Sequence, residues 1–459
     1  MSGIASRQNE ILSKLGFNSY GAREFLPGNL DNEIVVPDIN QYFSDQSIPL
    51  SKVDFVIYDA VVDQTGRGTH LTIQDALNSG KKRIFVRAGT YTLTADIVIP
   101  SDCLIIGENK EDTIINCDSY SINIKASGTD YTTGTLTLTN GDATVTGVGT
   151  SWVGNIVAGE SIYISGIGVF KIESVTDNTH LELEFVYYGI TITTSYSILE
   201  LIKNITLENI TIKGSAAGII DLKDCINIKL QSLIIEGTDT STAFGIQCNT
   251  RLLQSKIDDI KIFNVSRGIS GDILQNNEIS NIEIFGASGV GIILITGNYD
   301  NNWNNINVHN CDTGISLLSV FRNNFNNIIS EWNNTVGMAL TNSQYCNLNN
   351  FQIHYNGRNG LSLYQAKWNN IINNNIGYNS QSSSGTYSDL IMLNSGNGCF
   401  NNNIIGNNIN SQAGKSKYSI REDNALDDSN IISNNNTGGA ITDNISTQGA
   451  NTIVGDNIS

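Results

Sequence analysis

Gly291-Ile292-Ile293-Leu294, Gly314-Ile315-Ser316-Leu317, Gly337-Met338-Ala339-Leu340 and Gly360-Leu361-Ser362-Leu363 are variants of one short phrase, each starting 23 residues after the one before. Two earlier copies, opened by Gly245-Ile246 and Gly268-Ile269, keep the same interval. In most copies the glycine precedes apolar-x-apolar, the mark of a strand with one buried face. A second short strand follows: Ile260-Lys261-Ile262, Ile282-Glu283-Ile284, Ile306-Asn307-Val308 and Phe351-Gln352-Ile353. Earlier copies stand at Ile210-Thr211-Ile212 and Leu233-Ile234-Ile235, and looser ones at Ile404, Ile431 and Ile453. Several short strands per 23 residues, without helical periodicity, predict the coil of a parallel β-solenoid. A leucine-rich repeat of similar length would need its Leu/Asn consensus and helices, which are absent. Ile246, Ile269, Ile292, Ile315, Met338 and Leu361 are expected in one interior column.

The surrounding composition agrees. The only prolines are Pro27, Pro37, Pro49 and Pro100, so every later N–H is available to a neighbouring strand. Charged residues make up only 15% of the 459, and the net charge is −18. So acidic a surface repels nucleic acid and anionic membrane, and neither is expected as a partner. No apolar run approaches the ~20 residues of a membrane span, so no membrane insertion is expected. The N-terminus has no basic start followed by an apolar run, which argues against a secretory signal. Seven scattered cysteines without Cys-x-x-Cys read as buried thiols. No metal-ligand spacing appears. Gly66-Arg67-Gly68 and Gly147-Val148-Gly149 lack the rest of a phosphate loop, so neither metal nor cofactor is expected.

Asn301, Asn324, Asn347 and Asn370 repeat at the same spacing of 23 and predict a hydrogen-bonded ladder on successive coils, since Asn tolerates left-handed backbone. Near the start stand Tyr58-Asp59-Ala60, Thr72-Ile73-Gln74-Asp75-Ala76-Leu77 and Ile84-Phe85-Val86-Arg87-Ala88-Gly89-Thr90-Tyr91. With the repeat, these segments resemble the pectate-lyase-like superfamily of right-handed parallel β-helices, over residues 53–125 and 200–459. The resemblance implies a capping helix near Thr72, with first coils at Ile97-Val98-Ile99 and Cys103-Leu104-Ile105-Ile106. Residues 126–200 break the pattern. Asn140-Gly141 between alternating runs is a strong hairpin signal, and an inserted small antiparallel β domain is expected. That insert resembles those of phage tail fibres and tailspikes. The expected order is an N-terminal arm over 1–52, with a short helix near 8–15, capping helix and first coils over 53–125, insert over 126–200 and main β-helix over 201–459.

Chemistry must then lie on surface columns of residues one coil apart. One outward column reads Lys213, Glu236, Phe263, Phe285, His309, Glu331, His354, Asn374. Two of the four histidines flank Glu331 there, and Trp332 and Tyr355 stand at the next position. Asp312 and Arg358 fall in the turns that follow. An exposed carboxylate between imidazoles, beside aromatics, fits a saccharide site: rings stack on sugars, and the carboxylate or imidazole moves the proton of glycosidic cleavage. Glu331, Asp312, His309 and His354 are the catalytic candidates; Trp332, Tyr355 and Arg358 would bind substrate. The alternative is a mixed polar face. A second column, Tyr299, Arg322, Tyr345 and Trp368, would be either a stacking track for a glycan or an aromatic stack sealing a corner. Asp258-Asp259, Glu422-Asp423 and Asp427-Asp428 read as solvated turns.

The resemblance and the domain order imply a phage-tailspike-like protein that binds and cleaves a bacterial surface polysaccharide, as a glycoside hydrolase or polysaccharide lyase. They also imply a homotrimer carried on the virion or found outside the cell, with the arm meeting phage tail or baseplate proteins. Coils that run almost to Ser459 leave the trimer contacts to the rods and the N-terminus. A non-catalytic receptor-binding adhesin and a purely structural solenoid remain open readings, because function resides in sites and not in folds.

Overall fold

The computed structural model of the chain describes residues 58–458 apart from 127, 129, 239, 240, 394–397 and 412–414. The arm over 1–52 and its short helix lie outside the described residues. Ile246 pairs in parallel register with Ile269, then Ile292, Ile315, Met338 and Leu361 follow in one column. None of the six exposes more than 3% of its surface. The column continues back through Ile220, Ile122 and Ile97, and forward through Leu390, Ile420 and Ile445. Each aliphatic side chain taken from water stabilises the rod by roughly 1.5–3 kcal/mol before ordering costs. The chain is thus an all-β, right-handed parallel solenoid.

The coil starts earlier than the resemblance implied. Strand Ala60–Val62 pairs with Arg83–Val86, which pairs with Leu104–Gly107. The helix Ile73–Asn78 sits between the first two rungs and covers their end with Ile73, Ala76 and Leu77. Thr72 caps it, its hydroxyl oxygen accepting the Asp75 N–H at 3.1 Å. No helix among the described residues is long and apolar enough to cross a membrane. All seven cysteines are buried and free.

Coil corners are residues in left-handed backbone, Asn more often than any other type, and nearly all are followed by a buried residue. Asn333, Asn356 and Asn379 form one buried ladder. The Oδ1 of each accepts from the coil before, and each N–H and Nδ2–H donates to the coil after, at 2.9–3.1 Å. A second buried ladder passes through Asn277, Asn301 and Asn323 and resumes at Asn369, Asn402 and Asn430. Asn301 therefore leaves its expected companions. The exposed ladder is Asn302, Asn324, Asn347, Asn370. The slip has a local cause. Three residues link Leu294 to Asn298, but only two link the equivalent Leu317 to Val320, so this side of the coil advances by 22. Two acidic pairs also differ from their reading as solvated turns, because Glu422 and Asp427 are 1% and 0% exposed and accept hydrogen bonds at ladder ends.

Between Ile122–Lys125 and Ile202–Gly214 the chain leaves the rod and forms a seven-stranded antiparallel sheet. Asn140-Gly141 turns its first hairpin, with Thr135 opposite Val148 and Gly141 at φ +80°. Leu136, Leu138, Val145, Trp152 and Leu181 give it a core of its own. Arg251 of the rod fastens it, donating to Asp130 and Ser197 near the insert and to Asp224 of the rod, with its guanidinium 4.9 Å from the Tyr163 ring. Ile122 still pairs with Ile220, so the coil continues across the excursion.

Candidate functional site

Alternation along Asn302–His309 turns Ile306 and Val308 inward and leaves Asn307 and His309 outward. The strands Asn324–Glu331 and Gln352–His354 stack on it in parallel, which sets His309, Glu331 and His354 in one column. Upstream the column holds Lys213, Glu236, Phe263 and Phe285. Its next member is Gly377 and not Asn374, because Asn374 is drawn into a buried amide ladder. The Phe263, Phe285 and His309 rings stack at 5.1 and 5.5 Å.

His309 leans back along this stack. Its Nε2 is 3.6 Å from Glu283 Oε1, and its Nδ1 is 3.1 Å from Asn310 Nδ2. Glu283 also meets Lys261 at 3.1 Å. Among the described residues, no hydrogen bond or ion pair engages the Glu331 carboxylate. The His354 ring stands nearly perpendicular to those of Tyr355 and Tyr378, with centroids 6.0 and 6.2 Å away, and its Nε2 is buried with no hydrogen-bond partner among the described residues.

The position after this column is the coil corner. Asn264, Gly286 and Asn310 hold it in three coils, then Trp332, Tyr355 and Tyr378 take it at φ +57°, +58° and +58°. Left-handed backbone costs a residue with a Cβ roughly 1–2 kcal/mol, and a bulky aromatic there is unusual. The three rings stack face to face at 4.4 and 5.4 Å, which returns about 0.5–1.5 kcal/mol per pair. Trp332 remains 54% exposed. Its free face looks toward the coil of Asn310 and His309, where the short Asn310 leaves the stack open. Buried Asn333, Asn356 and Asn379 anchor the corners from beneath.

Other candidates lie elsewhere. Asp312 stands past the corner, its N–H donating to Ala287 and Gly289 carbonyls at 3.1 and 3.0 Å, and no hydrogen bond or ion pair joins it to Glu331. Arg358 is exposed, with its guanidinium 5.9 Å from the Tyr387 ring. In the second column Tyr299 is displaced by the same 22-residue advance and stacks on Phe321 at 5.2 Å. Arg322, Tyr345 and Trp368 do share a corner, and Asp300 precedes them on it. Sequence reasoning missed Glu283, Asp300 and Tyr378. Tyr378 was within reach, 23 residues after Tyr355.

The face as built offers carboxylates and imidazoles that can move protons beside exposed rings that can stack on pyranoses. No family model matches the chain, and no curated protein sequence does. Its backbone is similar to that of the tailspike protein gp49 from Pseudomonas phage LKA1, with a TM-score of 0.53 and 12% identity over 81% of this chain and 75% of that one. The catalytic domain of a GH87 alpha-1,3-glucanase in complex with nigerose matches with a TM-score of 0.50 and 12% identity, over 87% of this chain and 68% of that one. The mannuronan C-5 epimerase AlgE6 A-module of Azotobacter vinelandii aligns over 84% of this chain and 93% of that one, with 14% identity and a TM-score of 0.48. At such identities the likeness concerns the fold, and this chain shares the right-handed parallel β-helix of a phage tailspike and of a glucanase.

Proposed function

We propose that this rod binds an extended bacterial surface polysaccharide across the face of Glu331 and Trp332, and cleaves it. The observation that carries the proposal is the run of Trp332, Tyr355 and Tyr378 at left-handed corners, where the same corner in the three preceding coils holds Asn264, Gly286 and Asn310. Aromatics kept at a conformational cost, with Trp332 and Tyr378 left exposed at the two ends of the stack, serve something other than folding. A pyranose stacked on Trp332 would lie beside His309 and Glu331. Glu331 acts as base or nucleophile, and His354 or His309 moves the proton. Glu283 is better placed as the second carboxylate than Asp312, because it faces outward two rungs from Glu331. It lies two rungs before Glu331 and two residues back along the strand, about 12 Å away between backbones, so the two side chains must lean together to reach the roughly 6.5–9.5 Å carboxyl spacing of inverting glycosidases. A lyase reading would need Arg358 to neutralise a uronate. The shared fold of a tailspike and a glucanase supports the substrate class.

In the same reading the protein is a virion-borne homotrimer, attached through residues 1–52. One observation favours binding without cleavage: among the described residues no hydrogen-bonding group holds Glu331, whereas catalytic carboxylates are usually fixed by neighbours. The test is incubation with a panel of bacterial capsules and exopolysaccharides, following reducing ends and absorbance in the unsaturated-uronate band. New reducing ends alone indicate hydrolysis, and added absorbance indicates elimination. Retention of a glycan without either establishes the adhesin.

A further inference from the structure

We propose a second saccharide site, on the corner of Arg322, Tyr345 and Trp368, that takes a neutral pyranose. It rests on the glycan-binding reading of the rod but not on cleavage at Glu331. The corner lies ten residues before that of Tyr355 along the same coil, across the bend at Asn350.

Arg322, Tyr345 and Trp368 have φ +54°, +57° and +54°, so two bulky rings again occupy left-handed backbone. The Tyr345 and Trp368 rings are 5.2 Å apart and within 4° of parallel. Trp368 is closed on its far side by Phe400, edge-on at 5.3 Å. The other face of Tyr345 looks toward the coil of Arg322 and is not covered, for the guanidinium is drawn aside. Its Nε and Nη2 donate to the two oxygens of Asp300, each at 2.8 Å, and Nη2 also reaches Gly166 O at 3.3 Å. Tyr345 is 53% exposed. Gly166 belongs to the insert, on the turn between Ser161–Ile164 and Gly168–Val175. A Cβ added there would come within 3.4 Å of the Tyr299 ring, so the turn rests on the rod beside this corner. The result is a notch: Tyr345 as its stacking floor, the Asp300–Arg322 pair as a polar wall, the insert turn as its far side.

The wall sets the ligand class. The bidentate pair neutralises itself, yet leaves the Nη1 N–H groups and carboxylate lone pairs for adjacent hydroxyls. A uronate would meet the Asp300 carboxylate and the net charge of −18. A neutral hexose donates its hydroxyls to that carboxylate and is repelled by neither.

The experiment uses the intact chain on an array of neutral and uronate-bearing bacterial polysaccharides, with Tyr345→Asn and Trp332→Asn as variants. Asn suits left-handed backbone, so neither variant should misfold, and melting temperature checks this. Trp152 and Trp303 are buried, leaving Trp368 as the exposed tryptophan once Trp332 is replaced. The expected result is that Tyr345→Asn weakens capture of a neutral glycan about tenfold, the effect of about 1.4 kcal/mol. The same glycan should shield Trp368 from acrylamide in Trp332→Asn. Undiminished capture by Tyr345→Asn overturns the site, as does unchanged quenching of Trp368 or capture of uronate polymers alone. If Trp332→Asn alone loses capture, the Glu331 face stands and this site falls. If Tyr345→Asn alone does, the reverse holds. An array on which no glycan is captured sinks both.

Discussion

Asn379 donates both its backbone N–H and its Nδ2–H to one carboxylate oxygen of the buried Asp389, at 3.1 and 2.9 Å. This ends the ladder that begins at Asn333. Each amide oxygen accepts from the coil before, and each backbone N–H and one Nδ2–H donate to the coil after, while the other Nδ2–H of Asn356 and Asn379 returns to the Ser330 and Ile353 carbonyls, so the last amide needs an acceptor ahead of it. A carboxylate is that partner. Glu422 plays the same part for the second ladder, taking Asn430 Nδ2 at 2.9 Å, the N–H groups of Gln448 and Gly449 at 3.0 Å and the Thr452 hydroxyl at 2.7 Å.

Burial pushes the Asp389 carboxyl above its ordinary range, against the lowering effect of Ser411 and Asn379. A folded value above the unfolded one, about 3.9, means a contribution that is full below about pH 4 and lost as pH rises through the folded value. Wild type should therefore gain melting temperature relative to Asp389→Asn as pH falls from neutral toward that range. A pH-independent difference between the two would show that this carboxyl titrates normally.

Leu317 pairs with Leu294 and Leu340 and is 1% exposed, while its neighbour Leu318 is 37% exposed. Leu317→Ala should cost roughly 2–5 kcal/mol in denaturant unfolding. Leu318→Ala should stay within about 0.5 kcal/mol. Equal losses would contradict the register.

Trp332→Asn exchanges a strained aromatic for the residue that the same corner uses in other coils. Relief of about 1–2 kcal/mol of backbone strain offsets about 0.5–1.5 kcal/mol of lost stacking. Calorimetry should find stability changed by less than about 1 kcal/mol, while glycan retention on affinity electrophoresis drops. Trp303→Ala, at a site 1% exposed, should instead cost about 3–5 kcal/mol.

Glu331→Gln keeps the shape of the face and removes its unpaired charge. Reducing-end release should disappear with glycan retention and melting temperature unchanged, and Glu283→Gln should slow release strongly. Full activity in Glu331→Gln would move the chemistry to another column.

Most of the rod was legible because coils of one length print their register as a spacing, as Ile246 through Leu361 do. What escaped depends on where length changes. One missing residue between Leu317 and Val320 moved Tyr299 and Asn301 to neighbouring columns, and no residue type announces such a slip. Asn374 misled for a related reason: exposed and buried Asn look alike in sequence, and only the ladder tells them apart. Glu422 and Asp427 sit in a polar stretch resembling a turn, and their burial follows from a need for acceptors that arises only once the amides are stacked. Within the candidate face, the neighbourhood of His309, Glu331 and His354 could be read from spacing. The pairing of His309 with Glu283 could not, since it depends on the direction of a side chain.

The single direction of the amide-to-amide hydrogen bonds in the buried ladders bears on how such a rod can lengthen over evolution. A duplicated coil placed between Asn333 and Asn379 would hand each amide to its own copy and create no unmet donor. A copy placed beyond Asp389 would bury donors with nothing to receive them. Growth by duplication is therefore cheap upstream of the acidic terminator and costly past it, and homologues of different length should differ by whole coils inserted before that carboxylate.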